Sequence, residues 1–208
     1  MFYMHSHISQ NNEQSPAVGN STMWRSASLL MLFGLIFWVP AYAGDAGRFE
    51  VIDVDYRVDE GFMRADARVE LELSDQALEA LRNSVALTIQ FQFDVNRIRR
   101  FWPDKLIEER RLNIELRYLS LSQRYTVHNL MTDEQASYAT LYSALRRIGK
   151  IADFPVLATD RIDPKEAYRF SLRAVLNRES LPGPLQILAF WRGDYSLESK
   201  WYQWKLKP

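Results

Sequence analysis

The sequence predicts a mostly β domain, an antiparallel sandwich-like fold with two short helices, and three observations carry that expectation. Apolar and polar residues alternate over several long stretches, which is the period of a strand with one buried face. Turn residues separate the elements at intervals of about 10–15 residues. The two segments with helical spacing do not alternate with strands, which argues for a β-sandwich or related all-β fold and against a βαβ sheet.

The first strand is expected near 49–58. Phe49 and Val51, then Val54 and Tyr56, interleave with Glu50, Asp53, Asp55 and Arg57, and the change of phase around Ile52 predicts a bulge. Asp59-Glu60-Gly61 is a turn signal, after which Ala65, Ala67, Val69, Leu71 and Leu73 alternate with charged residues, completing a hairpin with one wet face. Ser74 offers an N-cap and Asp75 suits a first helical turn, with Ala77, Leu78 and Leu81 at helical spacing before Asn83. Val85, Leu87, Ile89, Phe91, Phe93 and Val95 then form the clearest strand, apolar enough to be the centre of a sheet.

Residues 97–105 break the alternation, which resumes through Leu112, Ile114, Leu116 and Tyr118, so these two strands are expected to pair across that connection. Tyr125-Thr126-Val127 and Ala136-Ser137-Tyr138 flank a polar tip and predict a further hairpin. Thr140 caps a second helix with Leu141, Ala144, Leu145 and Ile148 inward, ended by Gly149 at C′. Beyond it, Pro155, Pro164, Pro182 and Pro184 punctuate the chain into short pieces: a strand near Tyr168, Phe170 and Leu172, a loop, and a last strand with Tyr202, Trp204 and Leu206 on one side. In that register Trp204 faces inward and Trp201 the opposite, exposed side.

Residues 23–43 read as a cleavable secretory signal peptide preceding a single β-rich periplasmic domain over 44–208. Arg25 supplies the positive end, Leu29 to Val39 is an uncharged, largely apolar run, and Ala41-Tyr42-Ala43 is a small-x-small cleavage site before Gly44. The run is 11 residues, whereas a spanning helix needs about 20. Left uncut, it would tether the domain to the inner membrane. Residues 1–22 are polar and lack apolar periodicity; they read as a disordered extension or as sequence upstream of a true start at Met23, the latter being preferred. With no cysteine the chain cannot be acylated as a lipoprotein.

Without residues 1–43 the chain loses one basic residue, Arg25, and one acidic residue, Glu13, leaving 25 of each and no net charge. That removes the electrostatic footprint of a nucleic-acid binder and any polybasic segment for anionic lipid. Cysteine chemistry is excluded, and beyond Gly44 only His128 remains among the histidines. A Ser-His-Asp site would have to use it, yet its place beside a hairpin tip suits a structural histidine better. No H-E-x-x-H and no Gly-rich phosphate loop is present, so neither zinc, nor a nucleotide, nor another cofactor is expected. Asp53 and Asp55 point the same way near Asp59 and Glu60, but their spacing is not that of a calcium loop and their alternation reads as a solvated face. Glu108 and Glu109 adjoin Arg110 and Arg111, which favours cross-strand ion pairs over catalysis.

The connection Arg97-Ile98-Arg99-Arg100-Phe101-Trp102-Pro103 is the main candidate for recognition. Arginine and tryptophan combine directed donors with large, rigid contact area and are enriched at protein interfaces. The competing expectation is that Trp102 folds back over the core edge while the arginines pair with acidic neighbours. Arg97, Arg99, Arg100, Phe101 and Trp102, with Trp201, are the candidate interaction residues.

The leader ending in Ala-Tyr-Ala, the spacing of Arg97, Arg99 and Trp102, the strand region from Leu116-Arg117-Tyr118 to Arg124-Tyr125, and the closing Ser199-Lys200-Trp201-Tyr202-Gln203-Trp204 together resemble an uncharacterised proteobacterial family. Its members are short exported proteins classed as a domain of unknown function, and the resemblance covers nearly all of 47–206. It implies gene neighbours that are membrane sensor kinases, and no activity. The expectation is therefore a non-enzymatic periplasmic interaction or sensory module whose partner is an envelope or inner-membrane protein, with the membrane itself met only through an uncut leader. The alternatives are a carbohydrate- or peptidoglycan-active hydrolase using paired carboxylates, and a carrier of an apolar ligand between two sheets.

Overall fold

The computed structural model describes residues 45–177 and 197–206. The signal-peptide and start-codon readings, the cleavage site, Pro182 and Pro184 lie outside them. Within them the chain folds as two antiparallel sheets packed face to face, with two helices, the mostly β sandwich expected from its patterning.

Strand β1 (Arg48–Asp59) pairs with β2 (Phe62–Glu72), and the register slips between Val51 and Asp53, placing the bulge at Ile52 as the phase change requires. Glu60 and Gly61 form the two-residue turn between them, with φ of 47° and 77°. Two successive positive φ values make a turn whose twist matches the strands, and glycine enters it without strain. Ser74 caps helix α1 (Asp75–Arg82), its Oγ accepting a hydrogen bond from the Ala77 amide at 3.3 Å. The helix carries the chain to β3 (Leu87–Arg97) of the second sheet. Strand β4 (Lys105–Leu119) pairs with β3, leaving only residues 98–104 to connect them. Strands β5 (Arg124–Asn129) and β6 (Gln135–Tyr138) form the predicted hairpin. Helix α2 (Leu141–Ile148), capped by Thr140, returns the chain to the first sheet.

The next element departs from expectation. The proline-punctuated segment contains a nine-residue strand, β7 (Lys150–Ala158), with Pro155 inside it. The smaller sheet has the order β1-β2-β7, so β7 is an edge strand, where the missing proline N–H withdraws no ladder bond from a neighbour on its free side. A 3₁₀ turn (Thr159–Arg161) then leads back to β8 (Tyr168–Asn177), and β9 (Tyr202–Leu206) closes the larger sheet, ordered β6-β5-β4-β3-β8-β9. Each passage between the sheets among the described residues is thus made by a helix or a helical turn. That is why the helices do not alternate with strands.

Gly149 also differs from expectation. It has φ −72° and ψ −5°, a right-handed conformation open to any residue, so it does not supply a left-handed C′ position. A Cβ there would stand 2.0 Å from the Val69 carbonyl oxygen, and close backbone approach is what demands glycine.

The core lies between the sheets. Ile89, Phe91, Phe93 and Val95 of β3 are at most 1 % exposed, and Phe93 stacks on Phe154 of β7 with ring centroids 4.7 Å apart, joining the two layers. As expected, Trp204 turns inward, stacking on Phe170 at 5.5 Å. Among the described residues no helix is long and apolar enough to cross a membrane.

Candidate functional site

The connection 98–104 is firmly rooted and displays its aromatics. At one root the Ile98 amide donates to the Ala167 carbonyl at 2.8 Å, and Arg97 Nη1 lies 3.8 Å from Glu166 Oε1. At the other, Asp104 accepts from the Arg99 amide through Oδ1 at 3.4 Å and from Arg169 Nη1 through Oδ2 at 2.6 Å. Between these roots Phe101 and Trp102 are 85 % and 74 % exposed, and Leu106, just inside β4, is 49 % exposed. Trp102 therefore does not fold back over the core edge. Arg97 pairs with an acid, whereas the Arg99 guanidinium has no partner among the described residues, and that of Arg100 sits 5.7 Å from the centre of the neighbouring Phe101 ring.

Trp201 belongs elsewhere. It lies on the outer face of the larger sheet, half-buried, with the Arg173 guanidinium 4.5 Å above its ring, so its expected exposure is only partial. Arg173 Nε donates to Gln92 Oε1 at 2.7 Å, and Gln92 is five residues from Arg97 on β3, about 17 Å along the strand. The candidates Arg97, Arg99, Arg100, Phe101 and Trp102 form one lip, and Trp201 stands apart from it.

Around Arg173 the outer face carries a polar ladder across three strands. Gln92 Nε2 donates to Gln90 Oε1 at 2.5 Å, Gln90 Nε2 donates to Asn113 Oδ1 at 2.8 Å, and Arg111 Nη1 also reaches Gln90 Oε1 at 3.0 Å. Because β3 is central, its outward side chains are flanked on both sides, and Thr88 and Gln90 are buried although they face away from the core. The alternation of Thr88, Gln90, Gln92 and Asp94 is the signal for this face, but only the strand order shows that it is enclosed.

Asp94 stands opposite Glu109 on β4 and Ser171 on β8. Burial, then the neighbouring Glu109 carboxylate, raises its pKa, while Arg111 and Arg173 oppose the rise. A carboxyl with a folded pKa above its unfolded value binds its proton more tightly when folded. Its charge thus costs stability above that window and nothing below the ordinary value of 3.8. Asp94→Asn is expected to raise Tm by about 2 °C at pH 7, and the gain shrinks as the pH falls towards 3.8; thermal melts across that range check it, and equal melting at pH 7 contradicts it.

Other candidates are held in local contacts. His128 Nε2 lies 2.6 Å from Asp133 Oδ1 at the β5–β6 tip, a pairing within one hairpin. Glu108 and Glu109 pair with Arg110 and Arg111 two residues along the same strand, and Arg161 of the 3₁₀ turn also reaches Glu108, so the ion pairs expected across strands run mainly along one. A groove of 880 Å³ runs between β2 and α2, and Asp53, Asp55, Asp66 and Glu70 share its walls with Arg68 and Lys150. Asp66 takes both the Arg57 guanidinium and, at 2.9 Å, the Asp153 amide. No group of three or more histidine, aspartate or glutamate residues among the described residues is placed to hold a metal ion.

The model of one protein family, described as a domain of unknown function (DUF4390), matches residues 46–205, nearly all of the two-sheet domain. The chain belongs to the DUF4390 family. No curated protein and no solved structure matches it. The DUF4390 match begins two residues before β1 and ends inside β9, so the rooted lip, the polar ladder and Trp201 all fall within the family's domain.

Proposed function

We propose that this DUF4390 domain is a non-enzymatic interaction module of the cell envelope, exported to the periplasm, which docks through the lip at 98–104 on an inner-membrane protein. The periplasmic part of a membrane sensor kinase is the partner to which the family resemblance points. The observation that supports the reading is the display of Phe101 and Trp102 on a connection whose two ends are bonded to the sheet. Burying such side chains stabilises a complex by about 1.5–3 kcal/mol each. A root already fixed in the free protein lowers the ordering cost of binding. Arg99 and Arg100 beside them fit a partner surface with an apolar cleft rimmed by carboxylates.

The test is binding of the full chain to the sensor kinase's periplasmic domain, with crosslinking in intact envelopes as the cellular counterpart. Phe101→Ala and Trp102→Ala are each expected to weaken binding by about 30-fold, the scale of an interface hot spot, with Tm unchanged because both rings are already in solvent. Binding that survives the double variant, or failure of the kinase domain to bind the unaltered chain, overturns the proposal.

A further inference from the structure

We propose a second binding site at the mouth of the sandwich, shaped for a small amphiphile with one anionic head, a carboxylate or a phosphate. The inward row of β4 reads Leu116, Ile114 and Leu112 and then changes character to Arg110 and Glu108, although the β3 residues opposite these two, Phe93 and Val95, are still core. Over this end of β4 the sheets leave a depression of 400 Å³, lined by Phe154 and Pro155 of β7, Met131 of the β5–β6 turn, and Glu109, Arg110 and Arg111. The volume is within the range of small-molecule sites, about 300–1,000 Å³.

One wall of the depression is apolar and fixed. Phe154 is stacked on Phe93, and the turn bearing Met131 is held by Asn129, whose Oδ1 accepts from the Met131 amide at 2.9 Å. Met131 nonetheless leaves 54 % of its surface in solvent. The charge around the rim is unbalanced. On the inward row Glu108 takes both Arg110 and Arg161, so two guanidiniums share one carboxylate, while Glu109 and Arg111 pair with each other on the outer face, where Asp94 stands opposite Glu109. One anionic head beside Arg110 completes the set, while its apolar body covers Phe154, Pro155 and Met131. A free fatty acid and a lipid phosphate share this chemistry.

The test uses the full chain labelled at its methionine methyl groups, titrated with decanoate and with decyl phosphate below their micellar concentrations; decanol and acetate are the controls. The Met131 signal is expected to shift and saturate with one or both anionic amphiphiles, the tighter naming the source, while the Met63 signal, from a side chain 2 % exposed, stays in place. Acetate lacks the body and decanol lacks the charge, so both should bind at least tenfold more weakly. Arg110→Gln should weaken the better ligand about tenfold, as loss of a charge-assisted hydrogen bond does. Arg146→Gln, on α2 beside the other groove, should not. An unmoved Met63 signal in Arg110→Gln shows that the core is intact. Decanol binding as tightly as the anions, no response at Met131, or undiminished binding by Arg110→Gln overturns the proposal.

Discussion

Gly149→Ala is expected to destabilise the domain by about 3 kcal/mol or more, as read from the midpoint of urea unfolding. The added methyl would meet the Val69 carbonyl oxygen at 2.0 Å, well inside contact distance, and the clashing atom is backbone. Val69 cannot retreat, because it lies within β2, paired with Val51 of β1, and its amide donates to the Gly149 carbonyl at 2.8 Å. Relief has to come from the end of α2, which would break that hydrogen bond and lift the fully buried Ala144 and Ile148 from the core. Overpacking of this kind costs about 1–3 kcal/mol, and a buried backbone group left unpaired a similar amount. Against a typical total stability of about 5–15 kcal/mol, the variant should be partly unfolded at physiological temperature. A loss below about 1 kcal/mol would show that the helix end moves freely.

Phe93→Ala should cost about 4 kcal/mol, the scale for removing a buried aromatic ring. Phe93 is 1 % exposed, stands on the central strand and makes the stack with Phe154 that joins the sheets. The space it leaves cannot close, since β3 is held by β4 on one side and β8 on the other. The same substitution at Phe101, 85 % exposed on the lip, should leave the unfolding midpoint within about 0.5 kcal/mol of the parent. Chemical denaturation of the two variants side by side measures the contrast directly; equal losses would contradict the burial of one ring and the exposure of the other.

Much of the framework is legible because one periodicity decides it. In β3 the apolar row from Leu87 to Val95 is unbroken, and its length alone places the strand at the centre of a sheet. Strand β7 escaped the same reading for two physical reasons. Its register against β2 shifts twice, with Asp153 at φ 57°, so the alternation is broken, and Pro155 carries a sequence signal that only an edge position makes compatible with a strand. Gly149 was recognised as special while its cause was hidden, since the approach of Val69 belongs to the pairing of distant segments. The lip divides in the same way. Arg99, Phe101 and Trp102 stand out by residue type, but the groups that root it, Asp104 with Arg169 and Ile98 with Ala167, are far apart in the chain and send no local signal.

The pairing of β3 with β8 has a kinetic meaning. It joins Arg97 to Tyr168 and Thr88 to Asn177, so the middle of the larger sheet is built from segments on opposite sides of the entire smaller-sheet return. Closing so long a loop has to precede any reward from the contact, and chains dominated by such pairings fold in about milliseconds to seconds. Until β8 emerges from the ribosome, β3 has β4 alone as a neighbour, and one of its edges stays open. That edge of β3 therefore waits for the whole stretch between Arg97 and Tyr168 to be made before its partner exists, so the centre of the larger sheet is completed late in synthesis by its own topology.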